Sequence, residues 1–102
     1  MKEFNKLVRD RIPELIRSGG EIPHTRILDP EEYALRLEQK LDEEVSEFHR
    51  DHNREELADI LEVVFALAST LDCSEEELLA LRARKQEQRG GFQDRIFLLS
   101  KE

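Results

Sequence analysis

The sequence has very little cysteine, glycine, proline or tryptophan, and these absences exclude several classes of protein. Among 102 residues there are one cysteine, four glycines, three prolines and no tryptophan. A single cysteine, Cys73, cannot close an internal disulfide, and no cysteine–histidine cluster offers the ligands of a structural zinc site. The composition therefore argues against a disulfide framework or a zinc-stabilised fold and favours a reducing, cytoplasmic location.

Long apolar runs and an excess of positive charge are also missing. The opening MKEFNKLVRDRIPELI carries charges where a signal peptide needs an apolar stretch, and the longest uninterrupted apolar run, Val63–Ala68, is too short to span a bilayer. The 24 acidic and 16 basic residues give a formal charge of -8, which disfavours attraction to nucleic acid polymers or anionic lipid. We therefore expect neither a nucleic acid polymer nor a membrane as partner.

What the sequence does contain is charge in helical patterns, and it predicts an all-α fold in a single domain, residues 1–102. Charged residues make up 39% and hydrophobic residues 38%, as in helices with solvated outer faces. Caps and breakers place the helices from about Asp10 to Gly19, from Pro30 to about Arg50, from about Arg54 to Leu71, and from about Ser74 to Arg89.

Capping residues are predicted at most of the helix starts. Asp10 is expected to cap the first helix, Asp29 the second, and either Asp72 or Ser74 the fourth. Near the end of the chain, Ile96–Leu99 is expected to form a short strand or a final turn packed on a neighbour.

The third predicted helix is apolar around most of its circumference. A helix of this kind must be surrounded, and a four-helix chain of this length cannot easily enclose it alone. We therefore expect a helical hairpin or bundle completed by homo-oligomerisation. The apolar residues are Leu57, Ile60, Leu61, Val63, Val64, Phe65, Leu67, Ala68 and Leu71.

Acidic residues lie beside the apolar faces of the second and third helices. With about 100° of rotation per residue, Glu44 falls inside the stripe formed by Leu37, Leu41 and Phe48, with Glu47 at its edge. On the third helix Glu56 and Asp59 adjoin the apolar side in the same way. An ionised carboxylate in such a place is costly unless something neutralises it.

The spacing of these acids predicts that they meet. In an antiparallel hairpin Glu47 faces Glu56 and Glu44 faces Asp59, because each pair is equidistant from the midpoint of the turn. Either acidic pair alone is commonly a solvated helix face, but the joint pattern favours four converging carboxylates that hold Mg²⁺, with Mn²⁺ as an alternative.

Basic residues form a second set of candidates. Arg82, Lys85 and Arg89 share one face of the fourth helix, where they either pair with acids or bind phosphates; guanidinium groups match phosphate oxygens and lysine adds a point charge. Lys40, one turn before Glu44, is a further candidate. A cluster near the start of the chain has an equally open role, between ion pairing and substrate binding: Lys6, Arg9 and Arg11.

Two acidic segments resemble those of a known family. Lys40–Glu47 (KLDEEVSE) and Glu55–Glu62 (EELADILE) are similar to the E-E-x-x-E and E-x-x-D motifs of the MazG-like all-α nucleoside triphosphate pyrophosphohydrolases, which are related to phosphoribosyl-ATP pyrophosphohydrolase. The segments 5–13 (NKLVRDRIP) and 85–92 (KQEQRGGF) resemble a subgroup of small stand-alone members, so that the resemblance extends over nearly the whole chain.

The resemblance implies an assembly, an activity and a site; the assembly is a homodimer or homotetramer. It implies Mg²⁺ held by the four acids and cleavage between the α- and β-phosphates, which yields a nucleoside monophosphate and pyrophosphate, with removal of non-canonical nucleotides as one use. Lys85 and Arg89 would stabilise the pyrophosphate oxygens, and Glu47 is either a ligand or the group that deprotonates the attacking water. The site acids are Glu44, Glu47, Glu56 and Asp59.

One departure from the family concerns base recognition. Eight residues separate Glu47 from Glu56, a shorter spacer than in many members, so the hairpin loop offers little material for contacting a nucleobase. Base recognition would then come from the N-terminal segment or a partner subunit. Two alternatives stay open: a phosphoribosyl-ATP pyrophosphohydrolase of histidine biosynthesis, and a non-catalytic helical interaction module.

Overall fold

The protein, seen in a computed structural model that describes residues 2–102, consists of four helices. They are α1 (Ile12–Ser18), α2 (Pro30–Asp51), α3 (Arg54–Thr70) and α4 (Glu75–Arg89), and residues 2–102 contain no β-strand. The prediction of an all-α chain is confirmed, and the bounds of α2, α3 and α4 agree with the predicted ones to within one or two residues.

The start of α2 follows from local sequence. The Asp29 carboxylate accepts a hydrogen bond from the Glu32 N–H at 2.8 Å, and Pro30 occupies the first helical turn, where its missing N–H costs nothing. Glu31 and Glu32 place negative charge at the positive end of the helix dipole. The predicted Asp29 cap is confirmed.

The turn between α2 and α3 is as short as a helical hairpin allows. His52 ends α2 in the left-handed conformation, with φ 49°, and its N–H donates to the Phe48 carbonyl at 2.8 Å. Asn53 then caps α3, its side-chain oxygen accepting from the Glu56 N–H at 3.0 Å. Two residues of connection force the helices to run antiparallel, and the α2–α3 contact is the main one between helices.

Two predictions about the outer parts of the chain are wrong. The N-cap of α1 is Arg11, not Asp10, and has no side-chain cap, because a backbone turn starts the helix instead: the Ile12 N–H donates to the Arg9 carbonyl. Ile96–Leu99 form neither the expected strand nor a turn in residues 2–102, while their packing on a neighbour stays a prediction. Ser74, not Asp72, caps α4, and Glu77 completes a capping box.

The chain is far more extended than a compact domain of its length. Its radius of gyration is 17.9 Å, against about 13 Å for a compact chain of this size. Of residues 2–102 only Leu37, Val63 and Ala68 are buried apolar residues, and within α4 only Leu78 is even partly covered. No helix in residues 2–102 is both long and apolar enough to cross a membrane.

The Asn53 cap gives a prediction about stability. Replacing Asn53 by alanine removes the acceptor of the Glu56 N–H and should lower the free energy of unfolding by about 1 kcal/mol in urea denaturation. Asn53→Ser, which keeps a capping oxygen, should stay within about 0.5 kcal/mol of the original chain. Equal losses in both variants would show that the cap does not stabilise the hairpin.

Candidate metal centre

Three carboxylates meet across the α2–α3 hairpin. One oxygen from each of Glu44, Glu56 and Asp59 lies within 4.8 Å of the other two. Glu44 is on α2 and the others are on α3, one turn apart, so that the antiparallel pairing brings them to one place. The sequence predicted four converging carboxylates, and the structure brings three of them within this distance and leaves Glu47 outside the group.

Part of this cluster is dry. Glu44 is only 7% exposed, the one buried charged residue of residues 2–102, as expected from its position in the apolar stripe of α2. The Oε2 atoms of Glu44 and Glu56 are both buried and accept no hydrogen bond within the described part of the chain. Buried polar atoms without a partner are uncommon, because each loses its hydration without compensation.

Burial and mutual repulsion alter the acidity of the cluster. Burial is the main cause that raises the pKa of Glu44, the nearby Glu47 carboxylate raises it further, and the positive charge of Lys40 opposes the change. Burial likewise raises the pKa of Glu56, again with help from Glu47. Both carboxyl groups therefore hold a proton more readily than an ordinary glutamate.

Glu47 lies at the edge of the cluster. It stands outside the group of three close oxygens, yet its charge acts on both Glu44 and Glu56. Sequence reasoning missed a neighbour here, since Asp51, in the last turn of α2, also raises the pKa of Glu56. No sequence motif marks Asp51 as a residue of the site. Only the fold places its carboxylate beside the start of α3.

Lysine and arginine side chains contact the acids of the cluster and their neighbours. Arg9 donates to the Asp59 carboxylate at 2.7 Å. The Lys40 Nζ atom lies 3.5 Å from carboxylate oxygens of both Glu43 and Glu44, and Lys6 lies 3.9 Å from Glu43. The N-terminal segment thus lies against the hairpin, where Lys6 and Arg9 form ion pairs, one of the two roles that the sequence left open for them.

The cations of α4 are not brought to this cluster. Arg82, Lys85 and Arg89 are exposed, and none of them forms an ion pair with an acid of residues 2–102. Helix α4 contacts α3 but not α2. Within one chain, the residues that converge with the acids are those of the N-terminal segment and Lys40.

The donor set suits a small, hard cation. Carboxylate oxygens are the ligands that Mg²⁺ and Mn²⁺ prefer, and three of them lie within 4.8 Å of one another here. A divalent cation would satisfy the two buried Oε2 atoms and offset the repulsion between neighbouring carboxylates. The residues present therefore fit such an ion.

The raised pKa values predict how stability depends on pH. Because folded Glu44 and Glu56 bind protons more tightly than the unfolded chain does, the free energy of unfolding should fall as pH rises from about 4.3 through their raised pKa values. Denaturant titrations in EDTA at several pH values measure this. Glu44→Gln should flatten the fall and Glu62→Gln, an exposed acid on α3, should not; identical curves for all three chains would contradict the assignment.

Comparison with known proteins indicates no activity for this chain. No family model and no solved structure matches the chain. An uncharacterized protein of Mycolicibacterium smegmatis is 52% identical over 50 residues, which cover 49% of this chain and 51% of that protein. The matched region spans about half the length of this curated relative, whose name states no activity, so the functional argument rests on the hairpin and its carboxylates.

Proposed function

We propose that this protein is a Mg²⁺-dependent nucleoside triphosphate pyrophosphohydrolase of the MazG-like type. It cleaves the bond between the α- and β-phosphates and releases a nucleoside monophosphate and pyrophosphate, as a homo-oligomer, with removal of non-canonical nucleotides as its use. The observation that carries the proposal is the pair of buried carboxylate oxygens without partners, on Glu44 and Glu56, beside Asp59.

The acids of the hairpin supply the ligands. Glu44, Glu56 and Asp59 hold Mg²⁺, with Mn²⁺ as an alternative, through their clustered oxygens. When bound, the ion neutralises negative charge on the phosphates and lowers the pKa of a water molecule. Glu47, at the edge of the cluster, either completes the ligand set or accepts the proton of the attacking water.

The cations around the cluster bind the triphosphate. Arg9 forms an ion pair with Asp59, and Lys40 forms one with Glu44. A phosphate bound at the cluster is therefore within reach of a guanidinium and an ammonium group. Lys6, which pairs with Glu43, adds a third positive charge from the N-terminal segment. Bidentate contacts from Arg9 would fix the orientation of the phosphate chain, whereas Lys40 adds charge without a fixed angle.

In this proposal the α4 cations contact the substrate only from a second copy of the chain. Arg82, Lys85 and Arg89 are exposed and distant from α2 in one chain, so their predicted contacts with pyrophosphate oxygens require α4 of a neighbouring subunit. The same assembly would cover the apolar surface of α3 and supply residues of a partner subunit that contact the nucleobase. The proposed oligomer is a homodimer or homotetramer.

Pyrophosphate release tests the proposal directly. With Mg²⁺ and a panel of normal and modified nucleoside triphosphates, the protein should release pyrophosphate, and Asp59→Asn or Glu44→Gln should lower kcat/KM at least about 100-fold, because metal binding and charge neutralisation are lost. Glu62→Gln, on the same helix but exposed, should retain activity. Equal activity of Asp59→Asn, Glu44→Gln and Glu62→Gln would contradict the assignment of the active site to these carboxylates.

The alternatives give different results in the same assays. Faster turnover of phosphoribosyl-ATP than of any free triphosphate would identify the enzyme of histidine biosynthesis. A helical interaction module would release no pyrophosphate, and millimolar Mg²⁺ would leave its thermal unfolding temperature unchanged, since a ligand that does not bind the folded state cannot stabilise it.

The Arg9–Asp59 pair yields a separate prediction for the metal. The guanidinium competes for a carboxylate that the ion needs, so Arg9→Gln should tighten Mg²⁺ binding about two- to fivefold, the worth of an exposed ion pair. Isothermal titration measures this. Arg11→Gln removes an equal charge from a residue that pairs with Glu14 instead and should leave the affinity unchanged. Weaker binding by Arg9→Gln would contradict the competition.

A further inference from the structure

A small cavity lies between the N-terminal segment and α2. Its volume is about 90 Å³, and we call it the N-terminal cavity. Residues 5–7 line one side, where the chain bends at Lys6 and Asn5 has a left-handed φ of 45°, which asparagine adopts more readily than most residues. The residues from α2 are spaced three and four apart and so share one helix face: Arg36, Gln39, Lys40 and Glu43.

The lining of the N-terminal cavity is positively charged, although the chain as a whole has a formal charge of -8. Lys6, Arg36 and Lys40 are the cations of the lining, and Glu43 is its acid. One carboxylate cannot neutralise three positive charges. The cavity therefore favours an anion, in contrast to the acidic cluster beside it.

The acids around these three cations hold them at long distances. Charge-assisted hydrogen bonds between nitrogen and oxygen are about 2.7–2.9 Å long. The ion-pair distances here are 3.9 Å for Lys6, 3.5 Å for Lys40 and 3.4 Å for Arg36, to carboxylate oxygens of Glu32, Glu43 and Glu44. The cations of the cavity therefore retain donors for a further acceptor.

Two amide side chains add neutral donors. The Arg36 Nη1 atom donates to the Gln39 Oε1 atom at 3.2 Å, which leaves the NH₂ group of Gln39 as a donor. Asn5 lines the opposite side of the cavity. Phosphate oxygens accept hydrogen bonds from guanidinium, ammonium and amide groups, and a guanidinium can bind two of them at once. The donor set therefore suits a phosphate group.

The size and position of the cavity indicate which part of a nucleotide it takes. Pockets that enclose drug-sized ligands have volumes of about 300–1,000 Å³, so a cavity of about 90 Å³ suits a phosphate group and is too small for a nucleoside. Lys40 lines the cavity and also contacts Glu44 of the acidic cluster. Lys40 and Glu44 are one helical turn apart, about 6 Å along the axis, which is within the length of a triphosphate.

From these observations we propose that the N-terminal cavity binds the outermost phosphate of the nucleoside triphosphate, with Arg36 as its main ligand. This rests on the proposed function, in which the α-phosphate lies at the acidic cluster. The rest of the phosphate chain then extends along α2 and ends among Arg36, Lys40 and Lys6. A nucleoside monophosphate lacks the outer phosphates and does not reach the cavity.

Isothermal titration with inorganic pyrophosphate in EDTA tests the cavity without metal or turnover. The original chain should bind pyrophosphate at millimolar concentration, and Arg36→Gln should weaken binding at least about tenfold, because charge-assisted hydrogen bonds are lost. Arg17→Gln removes an equal charge from an exposed residue of α1, a helix without contact to α2 in residues 2–102, and should change the affinity less than about twofold. Absence of pyrophosphate binding, or equal losses in both variants, overturns the inference.

A second variant guards against a folding defect. Arg36 also pairs with Glu32 within α2, so circular dichroism checks that Arg36→Gln keeps its helices. Lys6→Gln lies outside the helices, removes another cation of the cavity and should weaken pyrophosphate binding at least about threefold. Where Arg36→Gln loses its helices, Lys6→Gln decides the test, and unchanged binding by it overturns the inference.

Enzyme kinetics test whether the phosphate in the cavity is that of the substrate. Arg36→Gln should lower kcat/KM for nucleoside triphosphates at least about tenfold and leave the inhibition constant of the nucleoside monophosphate product unchanged, because the monophosphate does not reach the cavity. Damage to the acidic cluster would weaken both. Unchanged kcat/KM together with weaker pyrophosphate binding would assign the cavity to a free phosphate ion and overturn its role in substrate binding.

The cavity and the proposed enzyme fail in different ways. A chain that releases pyrophosphate from no nucleoside triphosphate removes the enzymatic proposal and the substrate role of the cavity, while titration with pyrophosphate still decides whether the cavity binds phosphate groups. Pyrophosphate release that depends on Glu44 and Asp59 but not on Arg36 or Lys6 overturns the cavity alone.

Discussion

Repulsion between carboxylates in the seam of the α2–α3 hairpin is the interaction on which the rest of this structure depends. The hydrophobic stripe of α2 requires close contact with α3, and that contact buries Glu44 until only 7% of it is exposed to water. A buried charge facing other acids is tolerated only with a proton or a counter-ion. The raised pKa values of Glu44 and Glu56 and the arrangement of Arg9 and Lys40 both follow from this requirement.

The hairpin can hold the repelling carboxylates together because local backbone conformation and capping fix its turn. The left-handed His52 and the Asn53 cap leave no slack between the helices, so Glu44 and Asp59 cannot separate by a shift in register. The Asn53 cap also holds the backbone of Glu56 itself. The residue that starts α3 therefore positions a carboxylate of the candidate site, and stability and chemistry share one turn.

Around this hairpin the chain is open. Helix α4 and the segment after it have almost no cover, and the exposed surface exceeds what a chain of this mass needs as a compact monomer. The acidic hairpin and the apolar outer surface face different directions, since Leu57 and Leu61 lie on a different side of α3 from Glu56 and Asp59.

The sequence by itself determined the helices and the meeting of the acids, because caps, helical periodicity and distance from a turn are local or nearly local properties. Asp29, Asn53 and Ser74 mark helix starts by accepting hydrogen bonds from the N–H groups three positions on, and Pro30 fits the first helical position without an N–H. Only the tertiary structure decided that Arg9 pairs with Asp59, that Asp51 adjoins Glu56, and that the α4 cations lie apart from the acids within one chain. Those relations depend on how segments without mutual periodicity cross in space, and no spacing along the chain encodes that crossing.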